Sequence, residues 1–108
     1  GLLQHTLDVG DYAMDVLNEM MQRHPTIGDV RGKGLMIGVE FVLDKAKKTV
    51  AHDHAENIVA KAFEKGALFL SCGKSSIRMS PALNISRHLM DEALAIFEDA
   101  ITEAEAEL

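Results

Sequence analysis

The stretch Leu35-Met36-Ile37-Gly38-Val39-Glu40-Phe41-Val42 decides the architecture. Leu35, Ile37, Val39 and Phe41 alternate with Met36, Gly38, Glu40 and Val42. Successive side chains of a strand point to opposite faces, so the run predicts a strand with one well-buried face. Upstream, Gly32-Lys33-Gly34 predicts a turn, bulge or kink that separates this strand from a short first one at 27–31. Further back the period changes: Val9, Ala13, Val16, Leu17 and Met20 fall at three- and four-residue steps, which predicts a helix over 2–24. Pro25 ends it, lacking an N–H and disfavouring helical geometry in the residue before it.

Downstream of the strand, residues 44–50 form a polar connection carrying Lys45, Lys47 and Lys48, read as solvated surface. Asp53-His54-Ala55-Glu56 then has an acidic N-cap with a glutamate three residues on. It opens a second helix that buries Ala55, Ile58, Val59, Ala62 and Phe63. Lys65-Gly66 closes that helix and leads into a strand at 67–70. After a loop at 71–75, Ser76-Ile77-Arg78-Met79-Ser80 alternates again, with Ile77 and Met79 toward the core, Arg78 on the opposite side and Pro81 ending the pairing. Ser86 caps a last helix with a stripe at Leu89, Ala93, Ile96, Phe97, Ala100, Ile101 and Ala104. Glu103, Glu105 and Glu107 read as solvated surface and oppose the helix dipole, which predicts fraying after about Ala104.

The resulting order, α-β-β-α-β-β-α, predicts an α+β fold: a two-layer domain with a short, mostly antiparallel sheet and helices on one face. The other sheet face is left to water or to a partner.

Composition narrows the function classes. The 108 residues, 47% hydrophobic and 26% charged, suit one domain with one core. No apolar run approaches the roughly 20 residues needed to cross a bilayer, and Gly1-Leu2-Leu3-Gln4-His5 lacks the basic lead of a signal segment. Cys72 is the single cysteine, so an internal disulfide and a cysteine-type zinc cluster are excluded and a reducing compartment is suited. These features predict a cytoplasmic protein without a membrane partner. A net charge of −6 and a pI near 5.2 argue against DNA or RNA, whose phosphates require clustered lysine and arginine. The absence of a starting methionine and the helical opening residues read as a piece of something longer.

Most chemical motifs dissolve on inspection. Gly28, Gly32, Gly34 and Gly38 invite a phosphate-loop reading, but a strand follows them where such a loop needs a helix N-terminus. His52 and His54 flank Asp53 with no third ligand at a recognised spacing, which leaves surface histidines beside a helix start and no metal site. Cys72 has no paired base in the sequence and reads as a small loop thiol. Arg78 stands apart on the polar side of its strand between Ser76 and Ser80. Its planar fork of donors suits a carboxylate, but on the residues alone a surface or salt-bridged arginine is the favoured reading.

Two longer blocks add a resemblance. His24-Pro25-Thr26-Ile27-Gly28-Asp29-Val30-Arg31-Gly32-Lys33-Gly34-Leu35-Met36-Ile37-Gly38-Val39-Glu40-Phe41 resembles the strand pair that follows the interdomain helix in class-III, 4-aminobutyrate- or ornithine-type aminotransferases. Gly73-Lys74-Ser75-Ser76-Ile77-Arg78-Met79-Ser80-Pro81-Ala82-Leu83-Asn84-Ile85-Ser86, followed by Met90-Asp91-Glu92-Ala93-Leu94, resembles the family's later strand, turn and final helix, in the family's order.

This resemblance implies the carboxy-terminal small domain of a fold-type I pyridoxal-phosphate enzyme. Residues 1–24 would be the end of the interdomain helix and 25–108 the small domain. It implies transfer of an amino group between an amino acid, 4-aminobutyrate-like or other, and a 2-keto acid. The matching position gives Arg78 the substrate carboxylate. Nothing here resembles the family's Schiff-base lysine, the acidic partner of the pyridine nitrogen or the phosphate-binding residues. The resemblance therefore implies no catalytic or cofactor-binding residue in this chain, and pyridoxal phosphate held by the parent's own large domain and not by this piece. A homodimeric parent, inactivity of the piece alone, and decarboxylating, racemising or aminomutase relatives follow in the same way. A second reading is a free-standing α+β module, ferredoxin-like, that binds a small carboxylate or a protein through its uncovered sheet face.

Overall fold

In the computed structural model, which describes residues 1–33, 36–45, 49, 51–73, 75–79 and 85–108, the elements follow in the expected order. They are α1 (Leu2–Arg23), β1 (Ile27–Lys33), β2 (Met36–Phe41), α2 (His52–Glu64), β3 (Leu70–Cys72), β4 (Ser76–Met79) and α3 (Arg87–Ala106). The strands form one sheet in the order β1-β2-β4-β3, each neighbour antiparallel. Helix α1 packs on β1, α2 on β2, β3 and β4, and α3 against both other helices. The α+β, two-layer expectation is therefore what forms.

Alternation explains the layering. Ile37, Val39 and Phe41 of β2 and Ile77 and Met79 of β4 are buried, whereas Met36, Glu40 and Arg78 on the other side are exposed. The helices answer with Val9, Ala13, Leu17 and Met20 from α1, Ala55, Ile58 and Ala62 from α2, and Met90, Leu94, Phe97, Ala100, Ile101 and Ala104 from α3. Phe97 joins the layers: its ring meets Phe41 edge-on at 6.1 Å and tilts against Phe69 at 5.0 Å. Burying such a ring stabilises by roughly 2–3 kcal/mol.

Several expectations are corrected. Phe63 and Leu89 are 66% and 52% exposed, because each lies next to a buried position, Ala62 and Met90, and one residue is about 100° around a helix. The third strand is not 67–70 but Leu70–Cys72. The Ala67 amide closes the end of α2 on the Ala62 carbonyl and Phe69 plugs the core, so pairing starts only where β4 offers a partner, at Leu70↔Arg78. Ser71 and Cys72 are accordingly strand residues, not loop. Helix α2 begins at His52 with Ala51 as N-cap and no side-chain cap, while Asp53 lies inside the first turn and meets the dipole there.

Other local signals hold. Ser86 Oγ accepts from the Leu89 amide at 3.1 Å, and Gly66 stops α2 at φ +104°. Strand β1, however, runs past Arg31 to Lys33, so Gly32 and Lys33 are paired with Ile37 and Met36 as strand residues and are not the turn, bulge or kink expected there. At Gly32 a Cβ would sit 2.9 Å from the Met36 carbonyl oxygen, so the two backbones approach too closely for any side chain. Gly34 and Leu35, the Ser80-Pro81 end of β4, and Lys47 and Lys48 lie outside the described residues.

The end of α3 departs most from expectation. The helix continues to Ala106; Glu103 and Glu107 stay at the surface as expected, where Glu103 pairs with Lys65 and Glu107 with Lys61 at 2.5 Å. Glu105 reaches into the molecule, facing His24 Nδ1 at 2.7 Å and accepting from the Thr26 amide at 3.2 Å and the Thr26 hydroxyl at 2.6 Å. His24 Nε2 faces Glu98 at 2.8 Å, and Arg23 donates to the same Glu98 oxygen. The Thr26 hydroxyl, having given its proton to Glu105, accepts from His54 Nε2 at 2.9 Å, which leaves buried His54 Nδ1 without a partner. His54 was expected at the surface; instead it is 4% exposed, edge-on to Phe41.

These groups set an acid limit on stability. Burial works against the ionised forms of Glu98 and Glu105, but bonds from Arg23 and His24, and from His24 and Thr26, outweigh it and hold both below the ordinary carboxylate range. Burial pushes His54 down. All three bind fewer protons folded than unfolded. Their contribution is complete above the unfolded histidine value of about 6.5, and it falls as pH drops from there through the lowered carboxylate values. The urea midpoint should thus decline steadily on acidification below about pH 6.5. In His54→Phe the part of that decline nearest neutrality should disappear; an unchanged profile would refute the assignment.

Candidate functional site

The face of the sheet away from the helices carries the polar chemistry, and the register fixes its layout. Arg31, Gly38, Arg78 and Leu70 form one row across all four strands, since Arg31↔Gly38, Gly38↔Arg78 and Leu70↔Arg78 are paired. Asp29, Glu40, Ser76 and Cys72 form the neighbouring row through Asp29↔Glu40, Glu40↔Ser76 and Cys72↔Ser76. Gly38 contributes no side chain between the two arginines. A shallow depression of about 140 Å³ opens there, lined by Asp29, Arg31, Gly38, Glu40 and Ser76.

The two arginines differ electrostatically. Arg31 is ion-paired to Asp29, which raises its pKa by hydrogen bond and charge, with Glu40 adding to the effect. Arg78 is exposed, and its Nη2 donates to Cys72 Sγ at 3.6 Å. Among the described residues no carboxylate is ion-paired to Arg78. A guanidinium in this state can take a carboxylate in two parallel hydrogen bonds.

The structure brings together some predicted residues and separates others. Arg78 lies on the uncovered face, as the alternation in 76–80 required. Cys72, read as an isolated loop thiol, is instead its neighbour on β3. The pairing of Cys72 with Ser76 is the signal that would have shown this, had the strand been placed correctly. His52 is exposed and His54 buried, so they share no site, and among the described residues no group of three metal-ligating side chains forms.

A pyridoxal-phosphate seat needs a free lysine amine and cationic or N–H donors for the phosphate. Lys45 donates to the Met21 carbonyl at 2.7 Å, Lys61 and Lys65 are ion-paired to α3 glutamates, and the one buried unpartnered side-chain atom among the described residues, His54 Nδ1, lies on α2 in the helix layer. The apolar cleft between 66–69, Met79, Met90 and Ala93, about 270 Å³, has no cation among its lining residues. The described residues do not fit that cofactor.

The family described as class-III aminotransferase matches residues 1–101. The leucine/methionine racemase of Thermococcus litoralis is 40% identical over 104 residues, which cover 96% of this chain and 24% of the racemase. The 5-aminovalerate aminotransferase DavT of Pseudomonas putida is 39% identical over 104 residues, covering 94% and 24% respectively. A solved structure described as directed evolution of transaminases by ancestral reconstruction superposes with a TM-score of 0.92 at 30% identity, over 99% of this chain and 24% of that one. The chain thus spans about a quarter of the length of these relatives. Among the described residues, no helix is long and apolar enough to cross a membrane.

Proposed function

Because this chain belongs to the class-III aminotransferase family, we propose that it is the carboxy-terminal small domain of an enzyme that moves an amino group between an amino acid and a 2-keto acid. Residues 1–24 are the end of the helix joining it to a large domain, and 25–108 the small domain itself. Its span of about a quarter of its relatives supports a piece of a longer chain. The observation that carries the reading is the guanidinium of Arg78 on the open sheet face, to which no carboxylate is ion-paired among the described residues.

In this reading Arg78 donates to the substrate carboxylate and so fixes where the amino group points, which is how positioning lowers a barrier. Class-III aminotransferases use pyridoxal phosphate, which supplies the electron sink for amino transfer. Since the described residues do not fit that group, it is assigned to the large domain, and this chain contributes substrate orientation. Homodimerisation and a cytoplasmic location go with the family reading, and 4-aminobutyrate-like donors belong among the first substrates to test.

The test is an assay of the full-length chain with pyridoxal phosphate, a panel of amino acids including 4-aminobutyrate, and pyruvate or 2-oxoglutarate as acceptor. The expected result is amino transfer that needs both partners, and no turnover from the 108 residues alone. The 40% identity to a leucine/methionine racemase favours a second reading, in which the same carboxylate contact serves inversion at the α-carbon. Interconversion of enantiomers without consumption of the keto acid would select it, and neither reaction would overturn both.

A further inference from the structure

We propose that Cys72 is a positioning residue for Arg78: its sulfur holds the guanidinium on the open sheet face without cancelling its charge, so that an incoming substrate carboxylate meets an arginine already aimed and still cationic. This rests on the reading of Arg78 as the carboxylate contact.

The register makes the choice of partner visible. Since Gly38 and Leu70 both pair with Arg78, and Glu40 and Cys72 both pair with Ser76, the diagonal neighbours of Arg78 on its own face include Glu40 on β2 and Cys72 on β3. Diagonal neighbours lie about 7–8 Å apart, within reach of so long a side chain. The guanidinium reaches Cys72, with Nη2 3.6 Å from Sγ.

The two partners would have opposite consequences. Bonded to Glu40, Arg78 would be charge-compensated, and a substrate would have to displace that carboxylate. Arg31 displays this condition two strands away, bonded to Asp29 with Glu40 adding to the local negative field. A thiol is a weak acceptor and carries no charge in its protonated form, so it gives the guanidinium a direction without adding a counter-charge. Gly38, without a side chain between the arginines, keeps the approach open.

The experiment follows the half-reaction of the full-length holoenzyme by cofactor absorbance. Alanine, leucine and 4-aminobutyrate are the carboxylate substrates, and propylamine and 3-methylbutylamine the carboxylate-free ones. Cys72→Asp places a permanent carboxylate beside Arg78 and is expected to raise half-saturation for the amino acids by about tenfold or more. Maximal rates and both amines should stay within about twofold. Cys72→Ser, whose hydroxyl also accepts, should remain within about threefold of the parent for every substrate. If Cys72→Asp matches the parent while Arg78→Ala impairs the amino acids, this inference fails and the Arg78 reading stands. Impairment of amines and amino acids alike would also overturn it, the sulfur then acting on the fold. If Arg78→Ala changes nothing, the Arg78 reading falls and takes this inference with it.

Discussion

Arg78→Ala in the full-length enzyme is expected to lower kcat/KM for amino acids and keto acids by about 10²- to 10³-fold, which corresponds to roughly 3–4 kcal/mol of lost transition-state stabilisation. A hydrogen bond to a charged group contributes about 1.5–3 kcal/mol, and loss of orientation at the reacting carbon supplies the remainder. Arg78→Lys keeps the charge but not the fork, so it should recover only part of the loss, on the order of tenfold. A carboxylate-free amine should be handled within about twofold of the parent, which separates loss of this contact from general damage. Arg78 is exposed and, among the described residues, its side chain is bonded only through the Cys72 sulfur, so the substitution should change stability by no more than about 0.5 kcal/mol. Equal losses with amines and amino acids, or none with either, would remove the proposed role.

What the sequence disclosed and what it hid divide along the range of the physics involved. The stripe Val9, Ala13, Leu17, Met20 and the alternation Ile37, Val39, Phe41 are local periodicities, each read from a dozen residues or fewer, and both stand in the structure. Arg78 was assigned to the open face by the same alternation. The third strand was misplaced because its position depends on where β4 can pair, which apolar content at 67–70 does not encode. Cys72 then passed for a lone loop thiol, since its nearness to Arg78 exists only once Leu70↔Arg78 and Cys72↔Ser76 are known. His54 was hidden for a related reason: a polar residue at a helix start reads as surface unless the side chains arriving from Thr26 and Phe41 are already in view. The role of Arg78 came from resemblance, as the residues alone favoured a surface or salt-bridged arginine.

The three glutamates at the end of α3 carry this contrast into a measurement, because sequence reasoning treated them alike and the structure does not. Glu103→Ala and Glu107→Ala break exposed ion pairs with Lys65 and Lys61, so each should cost no more than about 0.5–1 kcal/mol and should fade in high salt. Glu105→Ala instead strips His24 Nδ1, the Thr26 amide and the Thr26 hydroxyl of their acceptor in one step. His24 and Thr26 are both buried, so these donors gain little from water in exchange. His24 faces Glu98 with one ring nitrogen and Glu105 with the other, so the substitution also takes away one of its two side-chain partners. The expected cost is about 2–4 kcal/mol in urea unfolding at pH 7, several times that of either neighbour. Glu105→Gln should recover part of it, because its carbonyl oxygen still accepts while the charge is gone. A cycle with His24→Ala should show coupling above about 1 kcal/mol, as expected for groups that share one network. Equal costs at 103, 105 and 107 would mean that the link from α3 to the turn after α1 does not hold the helix end, and that this end is only solvated surface.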